Sequence, residues 1–306
     1  MVGLEAGLLD VGVVLLLAGF AYAAVSDLKD REVNDRLWQI LGVAGLVVGA
    51  AAVAPGGALP LALWFAVAAL TLEHMFAWDE RLGGRIERYA DLIELVAYGG
   101  IVALVVVAGA RVGVGPSGVP LAVIAVLSTV VFARILFEAG VLYGGADAKA
   151  LMISGLLVPL FPSPWWGPAT TPFSVTAFLP FSVDLLMNAA LISVVIPFVL
   201  AVRNAACGQF RFPGGFTGYS LPVSELPLRY VWVRDPAAGT VAEEDEKVET
   251  SEEDRERRAK LAATLTARGV TRVWVTPQVP FLVLMAAGAV TALLAGNLVV
   301  DLLRLL

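Results

Sequence analysis

Apolar runs of bilayer-crossing length recur along the chain and leave little choice of fold. Candidate spans are 8–26, 38–54, 58–77, 91–111, 119–142, 148–161, 183–202 and 279–303. A hydrocarbon core is filled by roughly 20 apolar residues of helix, and a lipid-exposed segment must satisfy its own backbone hydrogen bonds. Each run therefore reads as a helix. The expected class is an all-α polytopic membrane protein of about eight transmembrane helices, the second and sixth short enough to be partly re-entrant. Composition agrees, with 58% of 306 residues hydrophobic and a mean hydropathy of +0.82, far above a soluble domain. The first run starts with only Glu5 and Asp10 and has no basic segment ahead of it. It is expected to remain as a spanning helix rather than be removed as a signal peptide.

Basic residues orient the helices. Lys29, Arg31 and Arg36 follow the first span, Arg81, Arg85 and Arg88 the third, and Arg203 the seventh. Connections 55–57, 112–118 and 162–182 carry almost no Lys or Arg, Arg111 at an edge excepted. Cationic loops stay cytoplasmic, which puts both termini outside the cell membrane. Pro162, Pro164, Trp165 and Trp166 mark 162–182 as an outer loop with interfacial aromatics.

Between a helical bundle, 1–202, and a final helix, 279–306, lies the one sizeable wet segment, 203–278. Arg229 to Asp235 and Val270 to Thr276 alternate like strands. Ser251 with Asp254 forms a capping box, and Gly269 stops a helix of about 252–268. A small β-α-β-like, α/β cytoplasmic subdomain is expected here. The acidic run Glu243 to Asp254 reads as a solvated loop and helix start, where carboxylates suit the helix dipole.

Residue counts then restrict the chemistry. One cysteine, Cys207, rules out a disulfide framework and a multi-cysteine zinc site. One histidine, His74, argues against a His-based metal centre or a Ser-His-Asp triad. No metal and no cofactor is expected. The net charge of −6 with Arg exceeding Lys suits wet surfaces in high salt, and equally follows from a GC-rich genome.

Carboxylates, Lys, Arg and hydroxyls remain. Asp147 lies in Tyr143 to Leu151 (YGGADAKAL), at the edge of an apolar run, and Asp27 ends the first run. Both fall on the cytoplasmic side. An ionisable group at membrane depth is expensive unless paired, wetted or used, so each is a functional candidate. Two aspartates sharing a proton can hydrolyse a peptide bond without metal, Cys or His: one takes a proton from water while the other, protonated, polarises the carbonyl. Such a pair titrates as a unit. Gly144 and Gly145 would let the backbone turn and approach another chain closely.

Plainer readings stand beside these. Asp27 could be a helix-end carboxylate paired with Lys29 or Arg31, and Asp147 the N-cap of a helix starting at Ala148. Lys149 could mark the membrane boundary by snorkelling, and Gly144 with Gly145 could be a flexible connector. Arg134 and Glu138 sit at i and i+4 as an internal pair. Glu94, Asp184, Asn188 and Asp301 lie near helix ends and call for no function, and Glu73 and His74 are expected to face a bundle interior or interface. A Ser154–Lys149 arrangement stays open.

The stretch Asp27-Leu28-Lys29-Asp30-Arg31-Glu32-Val33-Asn34 resembles the D-x-K-x-R-x-(I/V)-(P)-N stretch after the first helix of prepilin peptidases, and Gly144-Gly145-Ala146-Asp147-Ala148-Lys149 is similar to their G-x-G-D-x-K motif. The resemblance implies a polytopic aspartic protease that cuts the basic leader from type IV pilin and archaellin precursors at the cytoplasmic face. It implies Asp27 and Asp147 as the dyad, with Lys29, Arg31, Lys149, Gly144 and Gly145 in supporting roles.

Departures point to the archaeal branch. Ala146 replaces the second glycine, the proline before Asn34 is missing, and the cysteine-rich methylating region of bacterial members is absent. Two additional helices, about 58–111, lie between the motifs. Presenilin-like proteases also carry G-x-G-D but pair it with Tyr-Asp, whereas Ser26 precedes Asp27 here. Rival classes are a transporter moving protons or cations on the same two aspartates, and a non-catalytic scaffold presenting 203–278.

Overall fold

The apolar runs fold as helices because in lipid an extended backbone has no water to bond. The computed structural model describes residues 2–76, 90–112, 119–142, 144–159, 180–234 and 251–305. Arg81, Arg85, Arg88, Tyr143, the outer loop up to residue 179 and acidic residues 243–250 lie outside them. In chain order the helices are α1 (Val2–Asp30), α2 (Asp35–Val53), α3 (Ala58–Phe76), α4 (Ala90–Val112), α5 (Val119–Glu138), α6 (Gly145–Leu157), α7 (Phe181–Ser193) and α8 (Val195–Ala206). Strands β1 (Tyr219–Pro222) and β2 (Val231–Val233), helix α9 (Ser251–Ala267), strand β3 (Arg272–Pro277), and helices α10 (Phe281–Ala295) and α11 (Leu298–Leu305) follow.

Four apolar stretches among the described residues are long enough to cross a membrane: Asp10–Asp30, Asp35–Gly56, Ala58–Phe76 and Phe181–Ala206. The expected eighth span is not one straight helix. α10 and α11 meet at a bend of 60°, and counting them as one span gives five.

The chain divides into two compact units. The first comprises Met1–Val25, Val33–Ala190 and Leu282–Leu306. Its centre is α6, where every residue from Ala150 to Leu157 is buried. Small residues let neighbours close on it, as expected where lipid supplies no hydrophobic drive between helices. A Cβ on Gly12 would meet the Leu157 carbonyl oxygen, one on Gly45 would lie 3.0 Å from Leu156, and one on Gly155 would lie 2.8 Å from Thr129. At 13 residues, α6 is about 20 Å long, shorter than a bilayer core. In the same unit, Gly288 lets α10 pack closely on α7 against the Leu185 carbonyl.

The break between α10 and α11 is built by polar groups. Gly296 takes a φ of 81°, a conformation glycine enters without a Cβ clash. Asn297 then caps α11, its Oδ1 accepting from Val299 N at 3.0 Å and Val300 N at 3.1 Å. Its Nδ2 donates to Asp184 Oδ1 at 2.6 Å. Asn188 completes the latch, donating to Gly296 O at 2.8 Å and accepting from Leu298 N at 2.9 Å. Asp184, Asn188 and Asn297 are fully buried. Asp184 and Asn188, helix-end positions for which no function was expected, thus bind the break between α10 and α11.

The second unit comprises Ser26–Glu32 and Leu191–Phe281. Its sheet has the order β1-β3-β2, with both pairings antiparallel. Leu221, Val223, Val273 and Val275 alternate inward and meet Ala262 and Leu265 of α9, with Leu226 and Val231, in one core. Two corrections to the β-α-β-like expectation follow. A third strand, β1, is present, and the strands flanking α9 run antiparallel. Period-two alternation assigns faces but is blind to strand direction. The helix stop is as expected: Gly269, at φ 76°, donates to Thr266 O at 2.9 Å, and Val270 to Leu265 O at 3.0 Å.

Candidate active site

The first motif is a helix stop, a turn and a helix start. α1 ends at Asp30, and Arg31 adopts a φ of 59°, an uncommon conformation for a side chain with a Cβ that persists only where its surroundings hold it. Ser26 Oγ donates to Glu32 O at 2.7 Å across this turn. Asn34 starts α2, accepting from Arg36 N at 2.9 Å as an N-cap. The asparagine of the motif therefore has a capping reason that does not require the proline missing before it.

Asp27, whose side chain is 14% exposed, lies 3.8 Å from the Arg31 guanidinium at i,i+4. Arg31 Nη2 also donates to Gln278 O at 2.6 Å, and its guanidinium stands 5.3 Å from the centre of the Tyr230 ring. Burial pulls the Arg31 pKa below its ordinary value, and Asp27 is the strongest opposing influence. Arg258 contacts the same ring at 4.9 Å and donates to Asp254 at 2.6 Å. Tyr230 Oη in turn donates to the Lys29 carbonyl at 3.4 Å, while the Lys29 side chain itself is exposed. These residues all belong to the second unit. Tyr230, Arg258 and Gln278 were not singled out in the sequence. Tyr230 sits at the start of the strand-like RYVWV, yet alternation does not name what a ring faces.

The second motif opens α6 in the first unit. Gly144, not Asp147, is the N-cap, and Asp147 N donates to Gly144 O at 3.0 Å. Asp147 is thus the third residue of the first turn, where a carboxylate complements the helix dipole, and the reading of it as the cap is corrected. Its carboxylate folds back over Gly144: a Cβ there would lie 3.1 Å from Asp147 Oδ2, while a Cβ on Gly145 would meet nothing within 4 Å. The two glycines therefore differ, Gly144 making room for the carboxylate. Lys149 Nζ donates to Asp35 Oδ1 at 2.6 Å, which ties the start of α6 to the start of α2. Ser154 is buried and donates to Leu151 O at 2.7 Å, so its hydroxyl is engaged within its own helix while Lys149 pairs with Asp35. That removes the support for a Ser-Lys arrangement.

Asp27 belongs to the second unit and Asp147 to the first. Each sits at a helix terminus beside a basic partner or a glycine. Residues 213–298 match the family described as archaeal peptidase A24 C-terminus type II. This match supports the archaeal type IV prepilin/preflagellin peptidase family. No curated protein matches the chain. The A24 peptidase family points to a protease, a hydrolase of peptide bonds, and the apolar helices to a membrane protein. The matched A24 segment includes Tyr230, Arg258 and Gln278 and ends beside the Asn297 cap; Asp27 and Asp147 lie outside it.

Proposed function

We propose that this chain is a membrane aspartic endopeptidase that removes the basic leader of type IV pilin-like or archaellin precursors. The A24 match at 213–298 carries the reading. The motif resemblance around Asp27 and Asp147, each at a helix end, supports the aspartic mechanism. In this proposal 1–202 is the bundle bearing the dyad, 203–278 a cytoplasmic subdomain and 279–306 the closing membrane segment, with the active site at the cytoplasmic face of a multi-pass protein.

The chemistry needs one proton shared between the two carboxyls. The ionised carboxylate takes a proton from a water whose oxygen bonds to the scissile carbonyl carbon, while the protonated carboxyl hydrogen-bonds to the carbonyl oxygen. Collapse of the tetrahedral intermediate breaks the C–N bond. A dyad proton passes to the leaving amine, and the pair returns to one shared proton. Gly144 leaves space over Asp147, Arg31 holds Asp27, and Lys149, Lys29 and Gly145 serve the surroundings.

The test is processing of a pilin or archaellin precursor in membranes containing the wild type, Asp27→Asn or Asp147→Asn. Cleavage by the wild type that is lost in both variants, at equal protein level, is the expected result. Survival of cleavage in either variant breaks the aspartyl mechanism. Absence of cleavage by the wild type moves the weight to transport on the same carboxylates or to a scaffold.

A further inference from the structure

We infer that Tyr230 and Arg258 are positioning residues for Asp27, and that the second unit exists in part to fix the end of α1. The inference rests on the proposed role of Asp27 and adds a use for the segment that the family match covers. Five side chains run in series with alternating character: Asp27, Arg31, Tyr230, Arg258 and Asp254. The two guanidiniums flank one aromatic ring at 5.3 and 4.9 Å, and each is bound to its own carboxylate, at 3.8 Å for Asp27 and 2.6 Å for Asp254. A ring face attracts a cation, and more strongly when the cation is desolvated. Arg258 is 5% exposed, and burial is the main influence on Arg31, so both guanidiniums are poorly hydrated.

The clasp acts on the backbone as well as the side chain. Arg31 holds a φ of 59° while reaching Gln278 O, 247 positions away, at 2.6 Å. Tyr230 reaches back to the Lys29 carbonyl. The last turn of α1 and the residue that reverses the chain are thus gripped from outside their own sequence. Among the described residues, Nε of Arg31 and of Arg258 has no hydrogen-bond partner although buried. A purely structural cross-link would more simply be apolar, since replacing buried ion pairs by packed hydrophobic residues is often neutral or stabilising. Cationic groups held at this expense, one of them on Asp27, fit a device that sets the carboxylate in place.

The test uses the full chain in nanodiscs, with amide exchange over residues 26–34 and cleavage kinetics read side by side. Tyr230→Leu and Arg258→Met should each speed exchange over 26–34 by roughly tenfold, as for loss of a local closing contact. Both should lower kcat by about 10–100-fold with KM within threefold, as expected for misplacement of a reacting group rather than loss of substrate binding. Tyr230→Phe keeps the ring and should restore most of kcat. Arg229→Gln, an exposed neighbour paired with Glu225 at 3.8 Å, should leave exchange unchanged. Unchanged exchange over 26–34 in Tyr230→Leu and in Arg258→Met overturns the inference, as does a loss confined to KM. Faster exchange in these variants beside a wild type that cleaves no precursor retains the clasp and rejects the aspartyl reading.

Discussion

Replacing Asn297 with Ala should destabilise the membrane unit by an amount that can be worked out bond by bond. Asn297 accepts from Val299 N at 3.0 Å and Val300 N at 3.1 Å and donates to Asp184 Oδ1 at 2.6 Å. Loss of an N-cap costs about 1 kcal/mol. Loss of the interhelical bond leaves Asp184 with no hydrogen-bonded oxygen among the described residues, since Oδ2 already has no partner. Hydrogen bonds between membrane helices are worth about 0.6–1.7 kcal/mol, and an orphaned buried group about 1–3 kcal/mol. These two figures describe one event, so about 1–2 kcal/mol is added once. The expected total is roughly 2–3 kcal/mol. The assay is reversible unfolding of the full chain in mixed micelles with increasing denaturing detergent. Asp184→Leu combined with Asn297→Ala removes the orphan, so the double variant should fall short of additivity by about 1 kcal/mol. A single-variant loss below about 0.5 kcal/mol, or strict additivity, would refute the latch.

Three further outcomes test the site and its frame. Lys149→Met removes a pair whose Asp35 partner is 59% exposed, so stability should change by less than about 1 kcal/mol while cleavage falls at least tenfold; a matching fall in thermal midpoint would make the loss structural. Gly144→Ala should lower kcat more than Gly145→Ala, because only the first adds a Cβ against Asp147 Oδ2, at 3.1 Å, and equal kinetics would break that reading. Asn204, fully buried, donates to Gly215 O at 2.8 Å and Gly218 O at 2.7 Å. Asn204→Leu should therefore cost the second unit about 2–3 kcal/mol, measured as faster proteolysis between Gln209 and Gly218.

Hydropathy marked the chain as mostly helical and apolar, because lipid admits hardly any other backbone, but of the eight expected spans four, or five with the bent pair, are long enough to cross among the described residues. It also put Asp27 and Asp147 at helix ends, and capping chemistry located α9 and its stop at Gly269. These are properties of short, contiguous stretches. The tertiary structure decided what depends on distant partners: that Gly12 and Gly45 on neighbouring helices, with α6's own Gly155, let the bundle close on α6, that Gly144 serves as cap and clearance for Asp147, and that α10 breaks at Gly296 and Asn297. A third strand and an antiparallel sheet were equally hidden, since alternation carries a face but no direction. The clasp on Asp27 lay furthest from reach. No local pattern in Asp27 to Asn34 shows that Arg31 will meet a ring about 200 positions onward, since cation–π and carbonyl contacts leave no periodicity in the chain.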